Sequence, residues 1–142
     1  LSTVLLTGGA GFVGSTLALR WKQDRPRDEV IAFDSLRRPG SELSLPRLAE
    51  AGVRFVKGDL RRREDLAALP GADLVIDCAA LPSVKAGYDG AARDVLDTNL
   101  GGTVECLELC RRHGARLVFL STSRVYSIEA LRALPLVRAD TR

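Results

Sequence analysis

At 142 residues the chain is long enough for one domain with a substantial apolar core. Its 21 basic and 18 acidic residues leave a net charge of +3, and the clusters Arg61-Arg62-Arg63 and Arg111-Arg112 lack interleaved aromatics. They read as solvated helix faces, so no nucleic-acid partner is expected.

No apolar run reaches membrane-spanning length, so no membrane association is expected, and no signal-peptide pattern opens the chain. Cys78, Cys106 and Cys110 sit in apolar contexts beside a single histidine, which argues for reduced buried thiols and no metal site. The cytoplasm is the expected compartment.

The run Val4-Leu5-Leu6 predicts a first strand over Thr3–Thr7, and Thr7-Gly8-Gly9-Ala10-Gly11-Phe12-Val13-Gly14 follows it directly. Gly9, Gly11 and Gly14 satisfy G-x-G-x-x-G, while Gly8, Gly11 and Gly14 satisfy a wider G-x-x-G-x-x-G. Behind a strand, such a run reads as a turn opening a helix, here Gly11–Asp24. The helix N-terminus then offers free N–H groups and the positive end of its dipole to a pyrophosphate. A second strand, Val30–Asp34, ends on an acid about twenty residues past the last glycine, where a carboxylate accepts hydrogen bonds from an adenosine ribose. The same carboxylate repels a 2′-phosphate and favours NAD. Arg37-Arg38, just downstream, could instead fold back onto such a phosphate.

The remaining strands are predicted at Val53–Lys57, Leu74–Cys78 and Leu117–Ser121, with helices at Ser44–Ala51, Arg63–Leu69 and Arg93–His113. His113 before Gly114 reads as a helix C-terminus. Short apolar strands alternating with helices imply a doubly wound parallel sheet of the Rossmann type, α/β in class, with order 3-2-1-4-5. After Ser121 the rhythm stops. Only a weak helical patch, Ile128–Leu134, precedes a polar end, so the sheet is expected to be incomplete at its C-terminal side. The chain starts at Leu1 and holds no methionine, and we expect it to be a piece of a longer protein.

In an open parallel sheet, ligands bind at the carboxyl ends of the strands. The glycine turn, Asp34, Asp59-Leu60, Ala79-Ala80 and Ser121-Thr122-Ser123 all fall there, on five separate loops. Asp59 has two readings: a cap for the helix starting near Arg63, or an acceptor for the exocyclic amine of adenine. Asn99 lies within the long fourth helix, ahead of Gly101 and Gly102. Each of these glycines costs a helix about 1 kcal/mol relative to alanine, which implies a close approach by a neighbour.

Thr7 to Gly14, Gly58-Asp59-Leu60, Asn99-Leu100-Gly101-Gly102-Thr103 and Ser121-Thr122-Ser123-Arg124-Val125-Tyr126 stand in an order and spacing that resemble the extended short-chain dehydrogenase/reductases, the NAD-dependent sugar-nucleotide epimerases and dehydratases. Within that family, the segment Asp34 to Ser41 and the Ser-Thr-Ser-Arg-Val-Tyr ending are most similar to CDP-paratose (CDP-tyvelose) 2-epimerases. The resemblance implies that NAD is the cofactor and a nucleotide-sugar the substrate, and that the full-length protein is a homodimer. It implies that Gly8, Gly11, Phe12 and Val13 surround the pyrophosphate. Asp34, Ser35 and Arg37 would stand at the adenosine ribose, and Asp59 and Leu60 at adenine. Ala79 and Ala80 would line the path to the nicotinamide with Asn99 near it, and Thr122 would be the catalytic hydroxyl that bonds the reacting sugar.

Three residues depart from the family pattern: Asp77 where many relatives carry histidine, Ala80 for a common glycine, and Ser127 for the glycine after Val-Tyr. The family's catalytic Tyr-x-x-x-Lys is missing, because Tyr88 and Tyr126 are followed four residues on by Ala92 and Ala130. In relatives the lysine lowers the tyrosine pKa so that its phenolate serves as general base. The resemblance therefore implies the cofactor-binding amino-terminal part of an epimerase, inert by itself. The complete enzyme would oxidise a sugar carbon by hydride transfer to NAD and return the hydride to the opposite face. A dehydratase, decarboxylase or reductase of the same family, or a regulatory NAD-binding module without turnover, is the alternative.

Overall fold

The computed structural model describes residues 1–82, 92–122 and 126–135. Five strands, β1 (Thr3–Thr7), β2 (Glu29–Asp34), β3 (Arg54–Lys57), β4 (Leu74–Asp77) and β5 (Arg116–Phe119), pair in the order β3-β2-β1-β4-β5. All four pairings are parallel, with Leu5 opposite Ile31 on one side and Val75 on the other. This is the doubly wound order predicted above, and its switch point lies between β1 and β4.

Side chains alternate between the two faces, and in the inner strands β1, β2 and β4 both faces are covered, so their central positions are apolar and buried, while β3 and β5 at the sheet edges are only partly covered. Leu5, Ile31, Phe33 and Val75 pack against Leu66 of α3 (Arg63–Ala67) and against Cys106 and Leu109 of α5 (Gly102–His113). On the other face, Val4, Leu6, Val30, Ala32 and Ile76 meet Ala18 of α1 (Phe12–Asp24) and Leu48 of α2 (Leu45–Glu50). Each fully buried leucine or isoleucine contributes about 1.5–3 kcal/mol relative to exposure. This two-sided core fixes the sheet edge at which the loops meet.

Three expectations are corrected. β5 stops at Phe119, short of Ser121, because its one partner among the described residues, β4, ends at Asp77, which pairs with Phe119. The last bond is donated by the Leu120 N–H to the Asp77 carbonyl (3.2 Å), and Ser121 and Thr122 lie beyond the ladder. Cys78 likewise falls just outside β4. The long helix expected over Arg93–His113 is interrupted: α4 (Ala92–Leu96) runs into a π turn at Asp97–Gly101 before α5 resumes. Its glycine pair supports regular helix poorly, and Asn99 is drawn sideways by a bond described below.

At the ends of two helices, local chemistry sets the boundary. Gly114 terminates α5 with φ +66°, after Arg111, Arg112 and His113 in its last turn. Ser127 caps the short α6 (Ile128–Arg132), its hydroxyl accepting from the Ala130 N–H at 3.1 Å. Glycine at that position could not supply this bond. Ser123, Arg124, Val125, Lys85 and Tyr88 lie outside the described residues.

Candidate functional site

The glycine turn is shaped by two close approaches. Gly8 adopts φ +59°, and a Cβ there would lie 2.9 Å from the Ala79 backbone, so only glycine fits between β1 and the β4 loop. A Cβ on Gly14 would run into the Gly8 carbonyl, and its absence lets α1 sit down onto the turn. Gly11 is the N-cap of α1 and has no side chain to bond the N–H groups of the first turn. Those of Phe12 and Val13 therefore stay available to an anion.

Asp34 ties this turn to the loop after β2. One carboxylate oxygen accepts from the Ala10 N–H (3.1 Å), the other from the Leu36 N–H (2.8 Å). The Gly9 N–H donates to the Phe33 carbonyl at 3.0 Å beside it. Leu36 has φ +56°, the left-handed value that turns the chain sharply before Arg37. Each carboxylate oxygen keeps a further lone pair for a ribose hydroxyl.

Beyond β3, Asp59 does not cap α3. The N-cap is Arg62, with no side-chain bond, and Asp59 instead receives the Arg61 N–H at 3.0 Å. The Arg61 guanidinium also grips both Asp59 oxygens, at 2.6 Å in its shortest contact. These hydrogen bonds hold the Asp59 carboxyl below its ordinary pKa against the opposing effect of burial, and they raise that of Arg61. Arg61 continues to Asp94 of α4 (3.0 Å), and Asp94 receives Arg37 at 3.3 Å. The run Arg61-Arg62-Arg63 predicts a solvated face, yet Arg61 is drawn into the wall of the cleft. Its position two residues past an acid in a tight loop was the available signal, whereas nothing local announces Asp94.

At the end of β4 stands a buried polar cluster centred on Asp77. Asp77 is 2% exposed; it accepts from the hydroxyls of Thr7 (2.6 Å) and Thr103 (3.0 Å) and from the Ala79 N–H (3.3 Å). These donors compensate for burial of a carboxyl group, which is costly when unpaired. Asn99 closes on the same loop: its carbonyl oxygen accepts from the Leu81 N–H (2.8 Å), and its amide donates back to the Leu81 carbonyl (3.3 Å). Gly102 lets α5 approach Leu60, whose Cβ lies 3.2 Å from where a Gly102 Cβ would be. Gly101 meets nothing closer than 3.8 Å, so the expected close approach applies to one glycine of the pair.

These loops enclose a cleft of about 480 Å³ at the carboxyl edge of the sheet. Gly8, Gly11, Phe12, Val13, Asp34, Ser35, Arg37, Asp59, Leu60, Ala79 and Ala80 all line it. Arg61 and Thr98 line it as well and were not anticipated. Asn99 is not among the lining residues; it works from behind, through Leu81. Thr122 is exposed and also lies outside the lining, one residue beyond Ser121. The volume suits a cofactor-sized ligand.

The sequence pattern of the NAD dependent epimerase/dehydratase family matches residues 4–136. The chain belongs to that family. This member of the NAD-dependent epimerase/dehydratase family is 37% identical over 124 residues to a dTDP-glucose 4,6-dehydratase of Mycobacterium tuberculosis, an alignment covering 87% of this chain and 37% of the relative. It is 33% identical over 129 residues to a CDP-paratose 2-epimerase of Salmonella typhi, again covering 87% of this chain and 37% of that protein. Among solved structures, it superposes with TM-score 0.71 and 30% identity on the UDP-glucose-4-epimerase of Stenotrophomonas maltophila, with bound NAD and formylated UDP-arabinopyranose. The match covers 88% of this chain and 38% of that one. The chain thus spans less than two fifths of the length of these relatives.

The cofactor of this family member is NAD. Its residues fit that group: an uncapped helix N-terminus for the pyrophosphate and a two-oxygen acceptor at Asp34 for a diol. Among the described residues, no helix is long and apolar enough to cross a membrane.

Proposed function

We propose that this chain is the NAD-binding part of a sugar-nucleotide epimerase, homodimeric at full length and acting on a CDP-linked sugar of the paratose/tyvelose type. Support for the substrate comes from the Asp34 to Ser41 segment and from the similarity to CDP-paratose 2-epimerase. One observation carries the choice of epimerase over dehydratase. Thr122 is followed by Ser123 and Arg124, and neither supplies the extra acid or base that removal of water would need.

In this reading the N–H groups of Phe12 and Val13 bind the pyrophosphate, with Gly8 and Gly11 leaving them room. Asp34 and Ser35 hold the adenosine ribose, while Asp59 and Leu60 frame adenine. Ala79 and Ala80 border the nicotinamide, and Asn99 fixes their loop by holding Leu81. The chemistry supplied by bound NAD is reversible acceptance of a hydride from the sugar carbon. Thr122 hydrogen-bonds the reacting hydroxyl and orients its proton toward a tyrosine base, which this chain does not contain in a Tyr-x-x-x-Lys pair.

A second reading, a 4,6-dehydratase, is favoured by the 37% identity to dTDP-glucose 4,6-dehydratase. The two are separated by giving the full-length protein CDP- and dTDP-linked sugars and analysing product by mass and NMR. An epimer of unchanged mass is expected. A product lighter by one water would replace the first reading with the second, and a protein that holds NAD without turning over either substrate would point to a regulatory module.

A further inference from the structure

At the adenosine end of the cleft, four charged side chains from three segments form one chain. Arg61 grips Asp59 at 2.6 Å and reaches Asp94 at 3.0 Å, and the second oxygen of Asp94 takes Arg37 at 3.3 Å. Arg37 follows Asp34 by three residues and lines the cleft with it, whereas Asp94 belongs to α4, which follows β4 in the chain. Two arginines and two aspartates leave the group neutral. Arg38 also borders the cleft and is exposed, with no ion pair among the described residues.

We propose that Asp94 is a specificity-determining residue: by holding Arg37 it withholds one of the two arginines just beyond Asp34 from a 2′-phosphate and so favours NAD over NADP. The inference rests on the ribose lying at Asp34, as proposed above. A phosphorylated ribose there would have to draw Arg37 away from Asp94. Asp94, left with Arg61 alone, would lose one of its two cationic partners and add like-charge repulsion to that from Asp34. A ribose without phosphate asks nothing of Arg37, so Asp94 should act on one cofactor and spare the other. The Arg37–Asp94 pair is roughly half exposed, at 49% and 43%, which sets a modest and salt-sensitive effect.

The test measures the Kd of NAD and NADP on the full-length protein as wild type, Asp94→Asn, Asp94→Asn/Arg37→Gln and Asp34→Ala. Asp94→Asn is expected to tighten NADP roughly three- to tenfold while leaving NAD within about twofold, the gain shrinking as salt rises. Removing Arg37 in the double variant should abolish the gain. Parallel changes in both affinities, or a gain that survives loss of Arg37, would reduce Asp94 to a structural support and overturn the proposal. Asp34→Ala reports separately on the ribose: it should weaken NAD more than NADP. Equal losses there would remove the ribose from Asp34 and the inference with it.

Discussion

Cys78 illustrates how a residue's chemistry is set by what surrounds it. Cys78 is among the residues lining the cleft, yet burial together with the neighbouring Asp77 carboxyl pushes its thiol pKa from 9.0 to about 11. A thiol so shifted holds roughly a hundredfold less thiolate near neutral pH than an ordinary cysteine. Alkylation at Cys78, followed by peptide mass spectrometry on the full-length protein, should therefore be slow at neutral pH. It should climb about tenfold per pH unit until close to that value, and saturating NAD should suppress it. A rate that levels off below 9.0 would contradict this environment. Burial pushes the Cys106 thiol up as well, consistent with its complete enclosure behind the sheet. Asp77 works on the same scale: three donors converge on one buried carboxyl, and two of them, Thr7 and Thr103, sit on different elements.

Among the elements, the π turn between α4 and α5 is the informative one. From within the turn the Asn99 side chain pairs with the Leu81 backbone, and the Thr103 hydroxyl spans from the Asn99 carbonyl to Asp77, 3.0 Å from each. The turn thus joins the fourth helix to the loop after β4. The two glycines beside it should respond differently to substitution. Gly101→Ala fits its helical backbone and open surroundings, and should stabilise the protein by about 0.5–1 kcal/mol. Gly102→Val drives a branched side chain into Leu60 and should cost about 1–3 kcal/mol. Denaturant midpoints for the full-length variants decide the matter; matching responses would show that the Leu60 contact does not constrain α5.

Across the whole molecule, four loops anchored on a two-sided core meet along one edge, so ligand binding should be felt there and not throughout the sheet. Hydrogen exchange of the full-length protein with and without NAD should show added protection at residues 8–14, 34–37, 58–61 and 78–82. Little change is expected at α6 or at the amino ends of the strands. Binding should also raise the unfolding free energy, by about 2.7 kcal/mol at a hundred times the Kd. Protection centred on the opposite edge would displace the site from this cleft.

Strand order, both layers of helices and the glycine turn were legible in the chain because apolar periodicity and turn chemistry are local properties. The run Val4-Leu5-Leu6 before a glycine cluster needs no distant residue to be read, nor does Asp34 at the end of an apolar strand. Helix and strand ends were less legible: β5 ends where its neighbour does, and the fourth helix breaks where Asn99 finds Leu81. Local patterning was enough for the α/β architecture, the sheet order and the loops from which a dinucleotide site is built. How the charges pair emerged only on folding. Arg61 and Arg37 find Asp94 because folding brings α4 to the mouth of the cleft, and Coulomb attraction depends on separation in space, which sequence distance does not report.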